Sequence, residues 1–450
     1  MSNKNKIIFI LIVFFQLTGN LFANNKQLMV DRLKDMEKNC ENIDISKTVG
    51  LDDLVNLCVC NNPELKAEYL NVEMAISEKK QANAEYMPTI SASASTSKNR
   101  SKIEDGDNTN SKPYSAKLSL QWLIYDFGGR EARNRTYKNN VDINNFSYNS
   151  KLYDVLLSVN VAYLNLLGAE EILKSAEENE KAFKKSYEES SKKYKIGMST
   201  LNEKLQAKTQ YEESILEVID ARNKIKQYSG DLATLLNLSP TTVFKLRKPR
   251  ADRDITELDM EDNVDKMIEI ALKSRSEVKK QMASVEYSKN NLKNMKSNFL
   301  PTISLEGSLS YNNKWDSNSK YQNDSYIGVQ LSVPIFTGFS NVNKTAEAKY
   351  NYRQARYLLE VTKNTVANEV WSAYQDYKQA IESYKISQQV LESAIENLKV
   401  ASKSYSVGRI DIINLLTANS TLANARKDRI NNFYKVLISK STLYRKIGEI

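Results

Sequence analysis

Two hydrophobic patterns follow one another along this chain, and the pair occurs twice. Over 90–97 the larger positions Ile90, Ala92, Ala94 and Thr96 alternate with Ser91, Ser93, Ser95 and Ser97. Leu118, Leu120 and Trp122 alternate with Lys117, Ser119 and Gln121. Far downstream, Ile303, Leu305, Gly307, Leu309 and Tyr311 alternate with Ser304, Glu306, Ser308 and Ser310. Ile327, Val329, Leu331 and Val333 likewise alternate with Gly328, Gln330 and Ser332. A period of two with one oily and one small, polar side predicts two-faced β-strands. Elsewhere the period is helical. Leu152, Leu156, Val159, Tyr163, Leu166, Ala169 and Leu173 recur at steps of three and four, close to a coiled-coil seam.

The alternation is duplicated because the chain is. YMPTIS at 86–91 returns as FLPTIS at 299–304, and Glu64, Lys66, Val72 and Glu73 match Glu277, Lys279, Val285 and Glu286 at the same offset of 213. Further on the offset is 211: Val159 matches Val370, Tyr163 matches Tyr374, Tyr194 matches Tyr405 and Gly197 matches Gly408. A unit this long is a structural half, not a solenoid repeat. The first half, 62–238, reads as a helix at 62–86, a β-hairpin at 88–125, a long helix at 129–195, a turn, and a return helix at 201–237. The second, 263–450, reads as a helix at 264–298, a hairpin at 301–336, a long helix at 340–405, a turn, and a return helix at 412–447. Segment 239–262, with its Ser-Pro turn and mixed charge, reads as the linker between them, and 24–61 as a separate N-terminal segment. Asn62 before Pro63 gives a polar cap with proline in the first turn, and Pro88 and Pro301 stop the helices before the strands.

Strands of this length fit a tilted membrane barrel, although a hairpin packed on a soluble core shows the same alternation. Four strands cannot close a barrel, and an open edge cannot sit in lipid. If the strands span a membrane, several copies share one barrel.

Tyr194-Lys-Ile-Gly197-Met198 and Tyr405-Ser-Val-Gly408-Arg409 sit where the two long helices must reverse. Glycine just past a helix end takes the left-handed conformation that other residues resist. Thr200 with Glu203 forms a capping box and Asp411 with Asn414 a cap at the same spacing. Each stretch is thus a tight turn between helices. At ~1.5 Å per residue the long helices put these turns ~100 Å from the strands.

Composition narrows the chemistry. With no histidine in 450 residues, histidine triads, metal sites and proton shuttles are excluded. No nucleophile–base pair, metal cluster or phosphate loop appears, so no catalytic, cofactor or metal site is expected. The net charge is +9, but it is spread along helical faces among acids, without a nucleic-acid motif. The 25 tyrosines suit surfaces that are apolar on one side and wet on the other. Lys4 and Lys6, the apolar run Ile7–Phe15 and Ala23 read as a cleaved signal peptide over 1–23. An exported chain permits a disulfide, and Cys40 pairs with Cys58 or Cys60, or all three remain free thiols.

In this order, LKAEYLNVEMAISEKKQANAEYMPTISASAS, LQWLIYDFGG, YKIGMSTLNEKLQA, LPTISLEGSLSY, LSVPIFTGFS and YSVGRIDIINLLTANSTLANAR resemble TolC-type outer membrane efflux proteins over about 50–447. The resemblance implies an α+β, mostly α fold: long antiparallel coiled-coil hairpins plus two β-hairpins per chain. It further implies a homotrimer with a twelve-stranded barrel in outer membrane lipid, continued by a helical tunnel across the periplasm. Its implied partners are a periplasmic adaptor and an inner-membrane transporter, serving multidrug efflux or type I protein secretion. The turn residues Tyr194, Gly197, Met198, Tyr405, Gly408 and Arg409 are then the adaptor-docking tips. Glu203, Tyr405, Asp411, Asn414 and Thr417 lie at a periplasmic gate. Family members often carry acids one to two turns after the second glycine; here Asn414 and Thr417 stand in those places. A gate at this point predicts that replacing Tyr405 and Glu203 together raises conductance. A periplasmic coiled-coil scaffold or adaptor without a barrel is the alternative.

Overall fold

A computed structural model describes residues 47–101, 109–248, 263–313 and 322–448. The signal peptide, Cys40, most of the linker and the outer parts of the two strand loops lie outside the described residues. In chain order the elements are β1 (Thr48–Val49), α1 (Leu51–Asn61), α2 (Pro63–Ala84), β2 (Thr89–Thr96), β3 (Asn99–Ser101), β4 (Thr109–Ser111), β5 (Tyr114–Tyr125), α3 (Gly129–Lys195) and α4 (Leu201–Leu235). After them come β6 (Lys245–Leu246), α5 (Val264–Ser274), α6 (Ser276–Ser297), β7 (Thr302–Asn313), β8 (Gln322–Ser332), α7 (Ser340–Ser406) and α8 (Ile412–Ile447).

The chain forms two compact units, and neither is a sequence half. One comprises 68–148 and 277–363; the other holds the remaining described residues, and each draws on both repeats. A duplicated unit that cannot bury its own apolar faces must interleave with its copy.

In the unit containing the strands, β2, β5, β7 and β8 form one antiparallel sheet in the order β2-β5-β7-β8. The two hairpins are therefore joined, β5 to β7, with Leu118 opposite Leu309 and Gln121 opposite Glu306. β3 and β4 pair separately within the first hairpin. The register shifts between Leu123 and Tyr125, a bulge that turns Tyr125 toward Ile303. β2 and β8 are the outer strands, so each has one edge without a partner strand among the described residues. At the ends of β5 and β8 the chain reverses into α3 and α7 through left-handed backbone at Phe127 and Gly128, and at Gly338 and Phe339.

The other unit is helical, apart from the short parallel pair β1–β6. The coiled-coil seam of α3 is its core: Leu152, Leu156, Val159, Tyr163, Leu166 and Ala169 are buried, and Leu173 is half-buried. The same rows of α7 bury Val370, Ala373, Tyr374, Tyr377 and Ala380. Each such leucine contributes ~1.5–3 kcal/mol when fully removed from water. α3 contains a stretch apolar enough to cross a membrane, but 61% of it is buried within the fold.

The structure departs from the sequence reading in two places. The expected helix 264–298 is two helices, α5 and α6, broken at Arg275 (ψ 134°). The expected N-terminal segment contains α1, which ends at Asn62 (ψ 119°). These breaks are the same feature: α1 and α5, and Asn62 and Arg275, are each 213 residues apart. The amide of Asn62 bridges its break. Its Oδ1 accepts from the N–H groups of Glu64 (3.0 Å) and Leu65 (3.1 Å), and its Nδ2 donates to the Leu235 carbonyl (3.1 Å). Arg275 is nearly fully buried and donates to Glu369 at 2.5 Å.

Candidate functional site

The two turns have one backbone. The Gly197 N–H donates to the Tyr194 carbonyl (3.0 Å) and the Met198 N–H to that of Lys193 (2.8 Å). Gly408 donates to Tyr405 (3.1 Å) and Arg409 to Ser404 (2.8 Å). These paired bonds close a helix C-terminus around a left-handed residue, and the glycine φ values are 75° and 74°. Two residues beyond each turn's last bond the next helix is capped. Thr200 Oγ1 accepts from the Glu203 N–H (3.2 Å) while the Glu203 carboxylate accepts from the Thr200 N–H (3.1 Å). Asp411 Oδ1 accepts from the Asn414 N–H (3.0 Å) and from its side-chain amide (2.7 Å).

The side chains diverge. Tyr194 is 37% exposed, with the Lys204 ammonium 5.1 Å from its ring centre. Tyr405 is 7% exposed and lies in an apolar cluster with Phe183 of α3, Ala207 of α4, Ala401 of α7 and Ile412, Leu415, Leu416 and Ala418 of α8. The Lys193 ammonium sits 3.7 Å above its ring. Burial, then the charges of Glu189 and Glu203, push the Tyr405 phenol above its usual value. This cluster takes side chains from all four helices of both turns within one chain. Two polar links continue it: Ser420 to Gln210 (3.1 Å), and Arg426 to Glu178 (3.5 Å) and Asn179 (3.4 Å).

Glu203 and Tyr405, expected together at a gate, share no hydrogen bond among those described, but the Glu203 charge is near enough to act on the Tyr405 phenol. The Glu203 carboxylate serves its own turn, also accepting from the Ser199 hydroxyl. Lys193, Phe183 and Arg426 were not anticipated. Their contacts are between helices distant in sequence, and no local spacing marks them. Asn414 and Thr417 are exposed on one side of α8, the latter bonding back to the Ile413 carbonyl (2.9 Å). Around the first turn Ile196, Met198, Leu201 and Leu205 are exposed, and around the second Val407, Arg409 and Ile413.

The sheet separates two chemistries. Cross-strand partners share a face. One face carries Ile90, Leu120, Gly307 and Ile327 in one row, Ala92, Leu118 and Leu309 in another, and Trp122, Leu305 and Val329 in a third. The other carries Ser91, Ser119, Ser308 and Tyr326, then Ser93, Lys117, Ser310 and Asp324, then Thr89, Gln121 and Glu306. At the start of α3, Tyr125 meets Phe127 with ring centres 4.7 Å apart, and before α7 Phe336 meets Phe339 at 5.6 Å.

Of the cysteines, Cys60 is disulfide-bonded, and Cys58 is a free, buried thiol whose pKa burial pushes up to about 12. Among the described residues no group of three or more acids and cysteines is placed to hold a metal ion.

The sequence matches the family described as outer membrane efflux protein over 54–238 and 267–449. It is 22% identical over 425 residues to the outer membrane protein TolC of Escherichia coli, covering 90% of this chain and 83% of that one. It is 21% identical over 407 residues to the alkaline protease secretion protein AprF of Pseudomonas aeruginosa, covering 88% and 83%. The structure resembles the crystal structure of the Campylobacter jejuni CmeC outer membrane channel with a TM-score of 0.76 at 20% identity, covering 89% of this chain and 85% of that one. The two-faced sheet, the capped turns and the match over most of the chain agree: the chain belongs to the outer membrane efflux protein family and is an export channel of the outer membrane with that family's mostly helical fold.

Proposed function

We propose that three copies close one twelve-stranded barrel, with the apolar face toward lipid and the serine-rich face toward water. The observation that carries this reading is the sheet itself. It is two-faced, it has four strands, and among the described residues its outer strands β2 and β8 each leave an edge unpaired. Edges cannot remain bare in hydrocarbon, so β2 of one copy pairs with β8 of the next. The aromatic pairs Tyr125–Phe127 and Phe336–Phe339 at the strand ends supply the interfacial anchors such a barrel needs.

Six turns then form the periplasmic mouth. Their exposed side chains, Ile196, Met198, Leu201, Val407 and Arg409, dock a periplasmic adaptor, which joins the channel to an inner-membrane transporter. Tyr194, Gly197 and Gly408 shape that surface. Tyr405 and its cluster hold the two hairpins of a chain together and so set how readily the mouth opens. Asp411, Asn414 and Thr417 line its inner side, where uncharged Asn414 and Thr417 give little cation binding. Glu203 acts through the shape of the first turn. The transporter supplies the cargo, in multidrug efflux or in type I protein secretion; likeness to a protease secretion protein supports the second. The chain is a channel and not an enzyme.

Chemical cross-linking in membranes, followed by planar-bilayer recording, tests the reading. It predicts a trimer that extracts only with detergent and conducts ions. A freely soluble monomer without conductance contradicts it.

A further inference from the structure

We propose that Glu306 sets the charge preference of the barrel's water-filled wall, favouring cations over anions along it. The inference rests on the reading that the polar face of the sheet lines the channel. Within β2, β5, β7 and β8 only three side chains are charged, Lys117, Glu306 and Asp324, and cross-strand register puts all three on the polar face. Lys117 and Asp324 share one row, separated by Ser310. Two strand spacings hold them about 10 Å apart, so toward the middle of a wide pore their fields largely cancel.

Glu306 has no such counterpart. Its row holds Gln121 on β5 and Gly328 on β8, and continues to Thr89 on β2. Four residues along β7 separate it from the row of Lys117, about 13 Å, beyond the screening length of about 8 Å in physiological salt. With the Gln330 amide turned so that its nitrogen faces the carboxylate, it donates to both Glu306 oxygens, at 3.0 and 2.6 Å. Opposite it, the glycine at 328 makes room for the Tyr326 ring, whose Cζ would lie 2.8 Å from a Cβ at that position. The largest side chain of the polar face thus lies along the wall beside the carboxylate. Each copy in a closed barrel repeats this arrangement at the same height, giving a ring with one negative charge per chain that no other described strand residue balances; the Arg130 guanidinium, on the Leu123 and Ile124 carbonyls, lies toward the helical end of the strands.

The local potential is read by a thiol placed directly across from the carboxylate. Gln121→Cys, in the full chain reconstituted in lipid vesicles, is reacted with a cationic and an anionic methanethiosulfonate of similar size. The label at position 121 is then quantified by peptide mass. The ratio of cationic to anionic rates is expected to fall about fivefold when Glu306→Gln is added, as for a wall potential of about one kT. Ser308→Cys on the same face serves as the second reporter and is expected to change in the same direction. Ile327→Cys, on the apolar face, is expected to resist both reagents. Labelling at 121 and 308 with a ratio indifferent to Glu306 overturns the proposal and leaves the channel standing. Labelling at 327 with none at 121 or 308 overturns both, because the polar face then does not meet water.

Discussion

The turns at 194–201 and 405–412 are copies in backbone and opposites in packing. Both close with the same two hydrogen bonds around a glycine near φ +75°, and both are followed by a capped helix. Yet the tyrosine that opens the first lies in water's reach, while its copy, Tyr405, is enclosed by four helices. The breaks at Asn62 and Arg275 repeat the lesson. At the first a neutral amide bridges the break; at the second a buried guanidinium meets Glu369 and, through it, Lys446 at 3.1 Å. In this chain duplication preserves what fixes the backbone, and side chains at matching positions serve separate ends.

Truncating the two tyrosines should separate the turns most strongly. Tyr405→Ala is expected to destabilise the protein by ~3–5 kcal/mol, as for other large buried aromatics, and Tyr194→Ala by less than ~1 kcal/mol. Equal losses in denaturant or thermal unfolding would show that the tyrosines are equivalent. A smaller effect concerns the acid limb of stability. Burial alone would raise the Glu369 carboxyl, but hydrogen bonds and charge from Arg275 and Lys446 hold it below its usual value. A carboxyl whose folded pKa is lowered adds stability above the unfolded value of about 4.3, and this is lost as pH falls through the lower folded value. Between pH 7 and 3 the melting temperature should therefore drop more in the wild type than in Glu369→Gln, whereas replacement of Asn62 should leave the pH dependence unchanged.

The smallest effects test sameness. Gly197→Ala and Gly408→Ala should each cost ~1–2 kcal/mol, and equally. Both glycines are left-handed, and nothing lies within 4 Å of an added Cβ, so strain is the whole effect. Thr200→Ala and Asp411→Ala should each cost ~1 kcal/mol. Unequal costs within either pair, measured by unfolding, would show that the backbones are not equivalent in solution.

How much of this was legible follows from the range of each interaction. Strand faces were legible because alternation is local: Ser91, Ser93 and Ser95 lie on one side whatever they pair with. The turns were legible because a left-handed glycine and a cap three residues long are both local. The pairing of β5 with β7 was not, since nothing in either hairpin specifies its neighbour. The parallel pair β1–β6 is two residues long and joins positions about 200 apart, too short to leave a period. The break at Arg275 has no proline or glycine to announce it. Only projecting Asn62-Pro63 forward by 213 residues would have located it, and the same step would have matched α1 with α5. The burial of Tyr405 was illegible in principle, because YKIG and YSVG are alike locally and differ only in what the other helices bring. Glu203 shows the converse: its capping role was readable from Thr200 three residues before it.

In the proposed channel one of two like turns, through Tyr405, holds the hairpins of each chain together and thereby keeps the mouth shut. Single-channel conductance of Tyr405→Ala and Tyr194→Ala in planar bilayers tests it most directly. Tyr405→Ala is expected to show a marked rise in open conductance, and Tyr194→Ala wild-type conductance. Wild-type conductance in both, or an equal rise in both, would contradict it.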